Sequence, residues 1–362
     1  MAEPRKRGCL GCSFPIVIII AIVVLAIVVI GFLSGSLGQK MLGVNMPDWL
    51  VPETPEPHLA APVLFHIGPL PITNTIIATW LTVVFLVLVS WLITRRMQLV
   101  PRRLQAAFEA LLGWVNDLCT SVAGEVNGRK FFPVICTIFL FVLFNAWLSL
   151  LPGFVSIEKY EYEPIPSNAQ IETIAAEGNR PEHKVAIIDG QEYEIVNASG
   201  KDLMKIKEEY LRGANTDFNT PLAIALVSFV FVIYFGMKSL GIGFWRQYFN
   251  FGGLFGSIGK LLTGKFKAGL SGIFSGAVDA FVGLLEFISL WIRNISFTFR
   301  LFGNMTAGEI LLLIAVFLMP MVIALPFYGL ELLVGFVQAF IFSGLTLVFA
   351  TMAVTSHDAD SH

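Results

Sequence analysis

Residues Ile273 to Met319 read IFSGAVDAFVGLLEFISLWIRNISFTFRLFGNMTAGEILLLIAVFLM, and this stretch decides the kind of fold. A helix needs about 20 apolar residues to cross the hydrocarbon of a bilayer, so this run is long enough to be tilted or broken. Pro320 ends the run, and a second apolar run, Met321 to Val354, follows it directly. Because proline interrupts a helix, the two runs predict a hairpin of two long membrane helices.

The composition of the whole chain indicates a membrane location. Of the 362 residues, 56% are hydrophobic and 14% are charged. The mean hydropathy of +0.75 lies outside the range of soluble globular domains. The net charge is −2, and the basic residues are scattered at helix ends instead of forming a stripe that could follow a phosphate backbone. The sequence therefore predicts an all-α integral membrane protein with no nucleic-acid partner.

The cysteines predict neither a disulfide framework nor a metal site. Cys9 and Cys12 form a CxxC pair, whereas Cys119 and Cys136 fall in hydrophobic or amphipathic helical stretches. A tetrahedral zinc site would need a second pair or a histidine cluster, which the sequence does not supply. Free or lipidated thiols beside the membrane are the favoured interpretation of the CxxC pair.

Four further apolar runs are long enough to span the bilayer, which predicts about six membrane-spanning helices. Lys and Arg gather after the second and the fourth run, and the positive-inside rule places both loops in the cytoplasm. In chain order, the predicted segments are a cytoplasmic N-terminus (1–13), an N-terminal transmembrane helix (14–33), an external segment (34–71), a transmembrane helix (72–94), a cytoplasmic basic loop with an amphipathic helix (95–130), a transmembrane helix (131–152), an acidic external loop or insertion (153–217), a transmembrane helix (218–237), a cytoplasmic loop (238–268), a long tilted membrane helix (269–319), a second long membrane helix (320–355) and a cytoplasmic tail (356–362).

The first run leaves two interpretations open. Arg5, Lys6 and Arg7 precede it, and the small residues of 34–38 follow it, as in a cleaved secretory signal. Its length of about 20 residues is long for the apolar part of a signal and sufficient for a span. A retained first helix is the favoured interpretation.

The segment 153–217 is the one polar block of the chain, with thirteen acidic residues against seven Lys and Arg. Two short apolar stretches, Val185 to Ile188 and Tyr193 to Val196, flank Asp189 and Gly190. This pattern predicts a β-hairpin with an Asp-Gly turn. Because an isolated hairpin is marginally stable in water, we expect it to dock on another part of the assembly.

Charged residues inside the last two apolar runs are the candidate functional residues. Each buried charge costs about 2.5 to 3.5 kcal/mol even on insertion scales, so such residues are rarely incidental. They are Glu286, Arg293, Arg300 and Glu309 in the first run and Glu331 in the second. The alternative is that these charges simply pair and hold the helices together.

Each of the two long helices carries a polar stripe that includes most of these charges, whereas Glu309 lies about 180° round the helix from Arg300. Glu286, Arg293 and Arg300 are seven residues apart, so they drift by only about 20° per step and share one helix face. Small and polar residues fall near that face or recur on the last helix, namely Ser289, Ser296, Gly303, Asn304 and Ala307, then Gly335 and Gln338. An arginine stays protonated and cannot relay protons, whereas carboxylates can. The pattern therefore predicts an ion path divided by a fixed cation at Arg300.

The run Ser296 to Glu309 (SFTFRLFGNMTAGE) closely resembles the signature of subunit a of F-type ATP synthases. Gln338 to Phe342 (QAFIF), Phe144 to Ala146 (FNA) and Leu150 to Pro152 (LLP) resemble further motifs of that family. The resemblance covers most of the chain from Ala60 to Ser356, apart from the acidic loop. It departs from the usual pattern in the extra N-terminal span, in the acidic insertion, and in having two glutamates where a histidine often occupies one position.

The resemblance implies a proton-translocating, non-catalytic subunit without a cofactor. Arg300 would face the carboxylates of a rotating ring, drive their deprotonation and block a proton short circuit. The residues that would line two half-channels are Glu286, Arg293, Asn304, Glu309, Glu331 and Gln338. Glu309 and Glu331 would pack across the helix hairpin. The implied partners are c-ring subunits, peripheral stalk subunit b and membrane lipids, in an energy-coupling membrane such as the bacterial plasma membrane.

Two other functions remain open on the sequence. A proton-coupled secondary transporter would use Arg300 to bind an anionic substrate, but such folds usually carry internal repeats, and we find none. A structural scaffold would pair Arg300 with a neighbouring carboxylate. The coupling ion, H⁺ by default or Na⁺, depends on ring residues that this chain does not contain.

Overall fold

The computed structural model describes residues 14–43, 47, 51–52, 61–95, 97–98, 103–151, 158–166, 169–174, 183–188, 191–198, 201–209, 211–241, 243–246, 248, 266–320 and 324–355. The helices are α1 (Phe14–Ser34), α2 (Ser36–Leu42), α3 (Asn74–Thr94), α4 (Arg103–Ser149), α5 (Asn219–Leu240), α6 (Gly243–Arg246), α7 (Phe266–Leu318) and α8 (Ala324–Val354). The strands are β1 (Val63–Ile67), β2 (Leu70–Thr73), β3 (Glu158–Pro164), β4 (Gln170–Ile174), β5 (His183–Ile188), β6 (Gln191–Ala198) and β7 (Lys201–Glu209). A 3₁₀ turn, Ala214–Thr216, precedes α5.

The structure confirms an all-α integral membrane protein. Within the described residues, the six helices α1, α3, α4, α5, α7 and α8 are long and apolar enough to cross a membrane. Their outer surfaces carry large apolar side chains, as at Leu25, Val87 and Val230, which are each more than 60% exposed. Such a surface is stable in lipid and unfavourable in water.

Several predicted features fall on residues outside the described ranges. These are the basic cluster Arg5 to Arg7, the CxxC pair Cys9 and Cys12, the Asp189-Gly190 turn and most of the predicted cytoplasmic loop 238–268. Cys119 and Cys136 are described, and both are free thiols buried in the helix bundle. The side of the membrane on which each loop lies stays a prediction.

Two helix bounds differ from the predicted segments. Ile72 was expected to begin the second span, but it belongs to β2 and pairs with Phe65 of β1, so α3 begins at Asn74. The predicted boundary at 130/131 is not a helix end. Instead, α4 is interrupted at Gly124, where φ is 75° and ψ is 167°. Glycine tolerates this conformation because it has no Cβ, and the helix resumes after it.

The first part of α4, predicted as an amphipathic helix, packs into the bundle. Val115 and Cys119 are buried in the main hydrophobic core. The Trp114 ring lies 5.7 Å from the ring of Phe139 and 5.5 Å from that of Phe340 on α8. This part of α4 therefore uses its apolar face for helix packing.

The main core joins α4, α5, α7 and α8. Small residues let these helices approach closely: a Cβ on Gly335 of α8 would lie 2.8 Å from the Cβ of Ala146 on α4. The Trp147 indole N–H donates a hydrogen bond of 3.0 Å to the Leu332 carbonyl, which links the same two helices. Close approach at small residues is the usual way in which membrane helices gain packing energy.

The acidic insertion forms an antiparallel five-stranded sheet in the order β3-β7-β6-β5-β4. The predicted hairpin is present, since β5 pairs with β6 from Val185 opposite Glu194 to Ile188 opposite Gln191. The hairpin is not isolated, because β4 and β7 extend it on both sides. Three or more strands can be stable without a further partner. Docking of the insertion on another part of the assembly stays a prediction.

Candidate functional site

Arg300 lies on α7 and is only partly buried by its own chain. Its guanidinium carbon is 5.8 Å from the centre of the Phe297 ring, one turn earlier. Among the described residues, no carboxylate lies within 4.0 Å of this guanidinium. Within the described part of the chain, Arg300 therefore does not hold α7 to another helix through an ion pair.

The surface around Arg300 is open and made of small and apolar side chains. Ser296, Gly303 and Ala307 are exposed, and a Cβ built on Gly303 would meet nothing within 4 Å. Ile295 and Phe299 beside them are 51% and 57% exposed. We call Ile295, Ser296, Phe299, Gly303 and Ala307 the open face of α7. A flat face of this kind allows another helix to approach closely.

Asn304 and Gln338 connect α7 to α8. The Asn304 side-chain Nδ2 donates a hydrogen bond of 3.0 Å to the Gln338 Oε1. Gln338 is 3% exposed, and its buried Nε2 has no hydrogen-bond partner among the described residues. Buried polar atoms without a protein partner are usually satisfied by water. The two amides are therefore suited to a hydrated part of the bundle.

Glu331 is buried on α8 at the point where α8 meets α7. It is 8% exposed, and its carboxylate lies against Gly308 so closely that a Cβ at that position would overlap it. The carboxylate is near α7 because Gly308 has no side chain. The contact of Glu331 across the hairpin is thus with Gly308.

Glu309 forms an ion pair that the sequence did not predict. Its Oε2 accepts hydrogen bonds from Nε and Nη2 of Arg212, each 3.1 Å long. The Arg212 side chain is buried and that of Glu309 nearly so, with 6% and 13% exposed. Sequence reasoning missed Arg212, which it counted only in the charge balance of the acidic loop. Its partner is 97 residues away, so no local pattern indicates the pair.

Polar groups also gather where the 3₁₀ turn packs between α3, α4 and α7. Thr75 donates a hydrogen bond of 3.0 Å from its hydroxyl to the Asp217 carboxylate. The side-chain amides of Asn145 and Asn215 are buried, and neither has a hydrogen-bond partner among the described residues. As for Gln338, water is the usual partner of such groups.

Arg293 and Glu286 lie apart from these contacts. The Arg293 guanidinium carbon lies 3.5 Å from the centre of the Phe349 ring of α8. It lines a small cavity of about 20 Å³ with Ser228 and Asn294, enough for about one water molecule. Glu286 is exposed on α7. The residues of the predicted stripe thus divide between the open face and the bundle interior.

Comparison with known proteins gives consistent matches. Residues 76–351, from α3 to α8, match the family described as ATP synthase A chain. ATP synthase subunit a of Gloeobacter violaceus is 28% identical over 299 residues, which cover 82% of this chain and 90% of that protein. ATP synthase subunit a 3 of Pelobacter propionicus is 27% identical over 271 residues, covering 75% and 83%. ATP synthase subunit a of Moorella thermoacetica is 22% identical over 301 residues, covering 83% and 99%.

Proposed function

This chain belongs to the ATP synthase A chain family, and on that premise we propose that it is the proton-translocating stator subunit of an F-type ATP synthase. In this role the chain is not an enzyme, because ATP is made on other subunits. Its partners are the other subunits of the complex, including the c-ring and the peripheral stalk subunit b. Its location in the cell is the bacterial plasma membrane, in keeping with the bacterial relatives.

The observation that best supports this proposal concerns the ion pairing of Arg300. A buried charge that only holds helices together needs an oppositely charged partner, because an uncompensated charge in a low-dielectric interior is strongly unfavourable. Arg300 has no carboxylate partner among the described residues, although it lies in a membrane helix. It adjoins the open face of α7, which none of the described residues covers. Carboxylates of a second protein packed on that face would supply the missing partner.

The remaining residues suit two proton half-channels that end near Arg300. Each carboxylate of the ring would reach Arg300 from one half-channel and leave by the other. Arg300 would favour the loss of the proton, because a nearby cation stabilises the carboxylate form. As a permanent cation, it would also prevent a proton from passing directly between the half-channels. The lining residues in this proposal are Glu286, Arg293, Asn304, Glu309, Glu331 and Gln338.

The decisive experiment compares Arg300→Ala with the unchanged chain in vesicles that carry the assembled complex. ATP-driven proton pumping is measured with and without an inhibitor of the ring carboxylate, and assembly is checked in parallel. A matched control is Arg129→Ala, because Arg129 forms an exposed ion pair with Glu125 and its side chain is 73% exposed. Such exposed pairs contribute about 0 to 1 kcal/mol, so the control should pump normally.

We expect assembled Arg300→Ala to pump no more than the inhibited complex, while Arg129→Ala pumps like the unchanged chain. Normal pumping by assembled Arg300→Ala would refute the stator role of this residue. It would leave Arg300 as a structural residue.

A further inference from the structure

The hairpin of β1 and β2 carries large apolar side chains that the described residues leave largely uncovered. Val63, Phe65 and Ile67 are 41%, 45% and 56% exposed. Phe65 and Ile67 are two residues apart on one strand, so they lie on the same face of the hairpin. A two-stranded hairpin is marginally stable in water, and apolar side chains exposed to water make it less favourable still. This hairpin therefore needs an apolar surface on which to pack.

The hairpin joins α3 without a linker. β2 ends at Thr73, and α3 begins at Asn74. The Asn74 backbone N–H donates a 3.3 Å hydrogen bond to the carbonyl of Pro62, the residue before β1. Both strands are thus held at the first turn of the helix. The depth of α3 in the bilayer therefore fixes the level of the hairpin.

The length of α3 places the hairpin at the surface of the bilayer. Its 21 residues rise 1.5 Å each, which gives about 31 Å and matches a hydrocarbon core of about 30 Å. At the far end of α3, the Arg95 guanidinium carbon lies 4.8 Å from the centre of the Trp91 ring. A tryptophan and a basic residue at a helix end are typical of the level where hydrocarbon meets lipid headgroups. With that end at one boundary, Asn74 lies at the other, and the hairpin lies among the headgroups.

The composition of the hairpin suits lipid as its partner. Residues 63–73 read VLFHIGPLPIT and contain no Lys, Arg, Asp or Glu. His66 alternates with Phe65 and Ile67 and lies on the opposite face. Large apolar side chains are exposed along the whole of α3 below the hairpin, from Trp80 to Leu92. The exposed apolar face of the hairpin therefore continues the lipid-facing surface of the helix.

We propose that the β1–β2 hairpin is a membrane-surface anchor, with the side chains of Phe65 and Ile67 inserted at the boundary between phospholipid headgroups and acyl chains. Its partner is the bilayer itself. Because the hairpin has no cationic Lys or Arg, the anchor does not select anionic lipids. The anchor requires that α3 crosses the membrane, and it does not depend on the proton-translocating role.

The anchor also bears on the candidate functional site. The Thr75 hydroxyl in the first turn of α3 lies 2.8 Å from the Thr73 hydroxyl and donates to the Asp217 carboxylate at 3.0 Å. Asp217 directly follows the 3₁₀ turn that packs on α7. By fixing the level of α3, the hairpin keeps Thr75 at the level of Asp217.

The test places one spin label at a time on the full chain, in the assembled complex, in phosphatidylcholine vesicles. The four cysteines of the chain are first replaced, those of the CxxC pair by serine and the two buried ones by alanine. Labels are then attached at Phe65→Cys or Ile67→Cys. Collisions of the label with oxygen, which concentrates in hydrocarbon, are compared with its collisions with a water-soluble nickel complex.

Three control positions calibrate the measurement. Ile171→Cys lies on β4 of the acidic sheet, and Ile171 is 57% exposed, close to the 56% of Ile67. Val87→Cys lies well inside α3, where Val87 is 62% exposed, and marks lipid. His66→Cys lies on the opposite face of the same hairpin.

We expect the oxygen-to-nickel collision ratio at Phe65 and Ile67 to exceed that at Ile171 and His66 by roughly threefold or more, since an apolar face at the bilayer surface is buried about 5 to 10 Å into the boundary. The ratio should stay below that at Val87. Adding phosphatidylglycerol to the vesicles should not change it, because no Lys or Arg of the hairpin can attract the anionic headgroups.

Two results would overturn the inference. A ratio at Ile67 equal to that at Ile171 would place the hairpin in water, and few collisions with either reagent would show that protein covers the face. If the cysteine-free chain does not assemble, benzoylphenylalanine in place of Phe65 in the otherwise unchanged chain decides the question. Light should then crosslink this position to phospholipid. Crosslinks to a protein segment, or none to lipid, would exclude the membrane anchor.

Discussion

The side-chain amide of Asn304 donates a 3.0 Å hydrogen bond to the amide oxygen of Gln338, which joins the polar stripe of α7 to that of α8. Asn304 is exposed and Gln338 is almost fully buried. The bond therefore runs from the surface beside Arg300 into the helix bundle. It links the helix surface beside the open face of α7 directly to a buried polar group of α8.

Asn304→Ala and Gln338→Leu should have non-additive effects on proton pumping, because each change removes the same hydrogen bond. A net hydrogen bond is worth about 0.5 to 1.5 kcal/mol, so the coupling should amount to about two- to tenfold in rate. A double-mutant cycle on ATP-driven pumping measures it. Effects that simply multiply would show that the bond does not contribute to the path. Pairing Asn304→Ala with Gly113→Ala, whose added Cβ meets nothing within 4 Å, provides an additive control.

Gly303→Leu should leave the fold of the isolated chain intact and weaken its association with a ring partner. An added Cβ meets nothing within 4 Å, and leucine favours a helix more than glycine does, so the free energy of unfolding should not fall. On the open face, however, it would keep a second helix at a distance. The measurement is thermal unfolding in detergent together with recovery of the ring with the purified chain.

Gly113→Leu is the matched control for that experiment. Gly113 is an exposed glycine of α4 with equally open surroundings, and it lies outside the open face. The control should retain the ring. Equal retention by Gly303→Leu would mean that the open face of α7 is not where the ring packs.

Thr346→Val should destabilise the bundle more than Ser228→Ala. The Thr346 hydroxyl lies 2.8 Å from the Phe342 carbonyl, to which it donates, and we therefore assign Ser228 as the donor in the 2.7 Å contact between the two hydroxyls. Thr346→Val leaves a buried O–H of Ser228 without its acceptor, which costs about 1 to 3 kcal/mol. Ser228→Ala leaves the Thr346 hydroxyl with its own hydrogen bond to the carbonyl, so the loss should be smaller.

Thermal unfolding of the three variants in detergent tests this order. The double variant Ser228→Ala/Thr346→Val should be more stable than Thr346→Val, since it has no unpaired hydroxyl. The same stability for both single variants would contradict the donor assignment.

Excision of 158–209, with a two-glycine bridge, should leave proton pumping intact. Glu158 and Glu209 lie opposite each other in the β3–β7 pairing, so the two ends of the excised segment are about 5 Å apart. The five strands pack mainly on one another within the described residues. Pumping by the shortened chain is compared with that of a second chain from which 158–212 is excised. The longer excision also removes Arg212, the partner of Glu309, and should reduce pumping; equal activity of the two chains would show that this ion pair does not support pumping.

Much of the fold follows from local patterns. The apolar runs predict the six candidate spans because burial in lipid depends on length and composition, which are properties of each segment alone. The exact ends of the helices were less predictable where tertiary contacts determine them. Ile72 is apolar enough to begin a helix, but its pairing with Phe65 places it in a strand. The apolar pattern around Gly124 does not predict the break in α4 at that residue.

By itself, the sequence determined that this protein crosses a membrane, that two long helices end the chain, and that Arg300 lies in a polar stripe with Glu286 and Arg293. These conclusions depend on composition and helical periodicity, which are local. Only the tertiary structure decided which charges are paired. Glu309 meets Arg212, while Arg300 has no carboxylate partner among the described residues. A pair whose members are 97 residues apart depends on how the helices and the 3₁₀ turn pack. The periodicity of one helix does not indicate which residues of other elements it will contact.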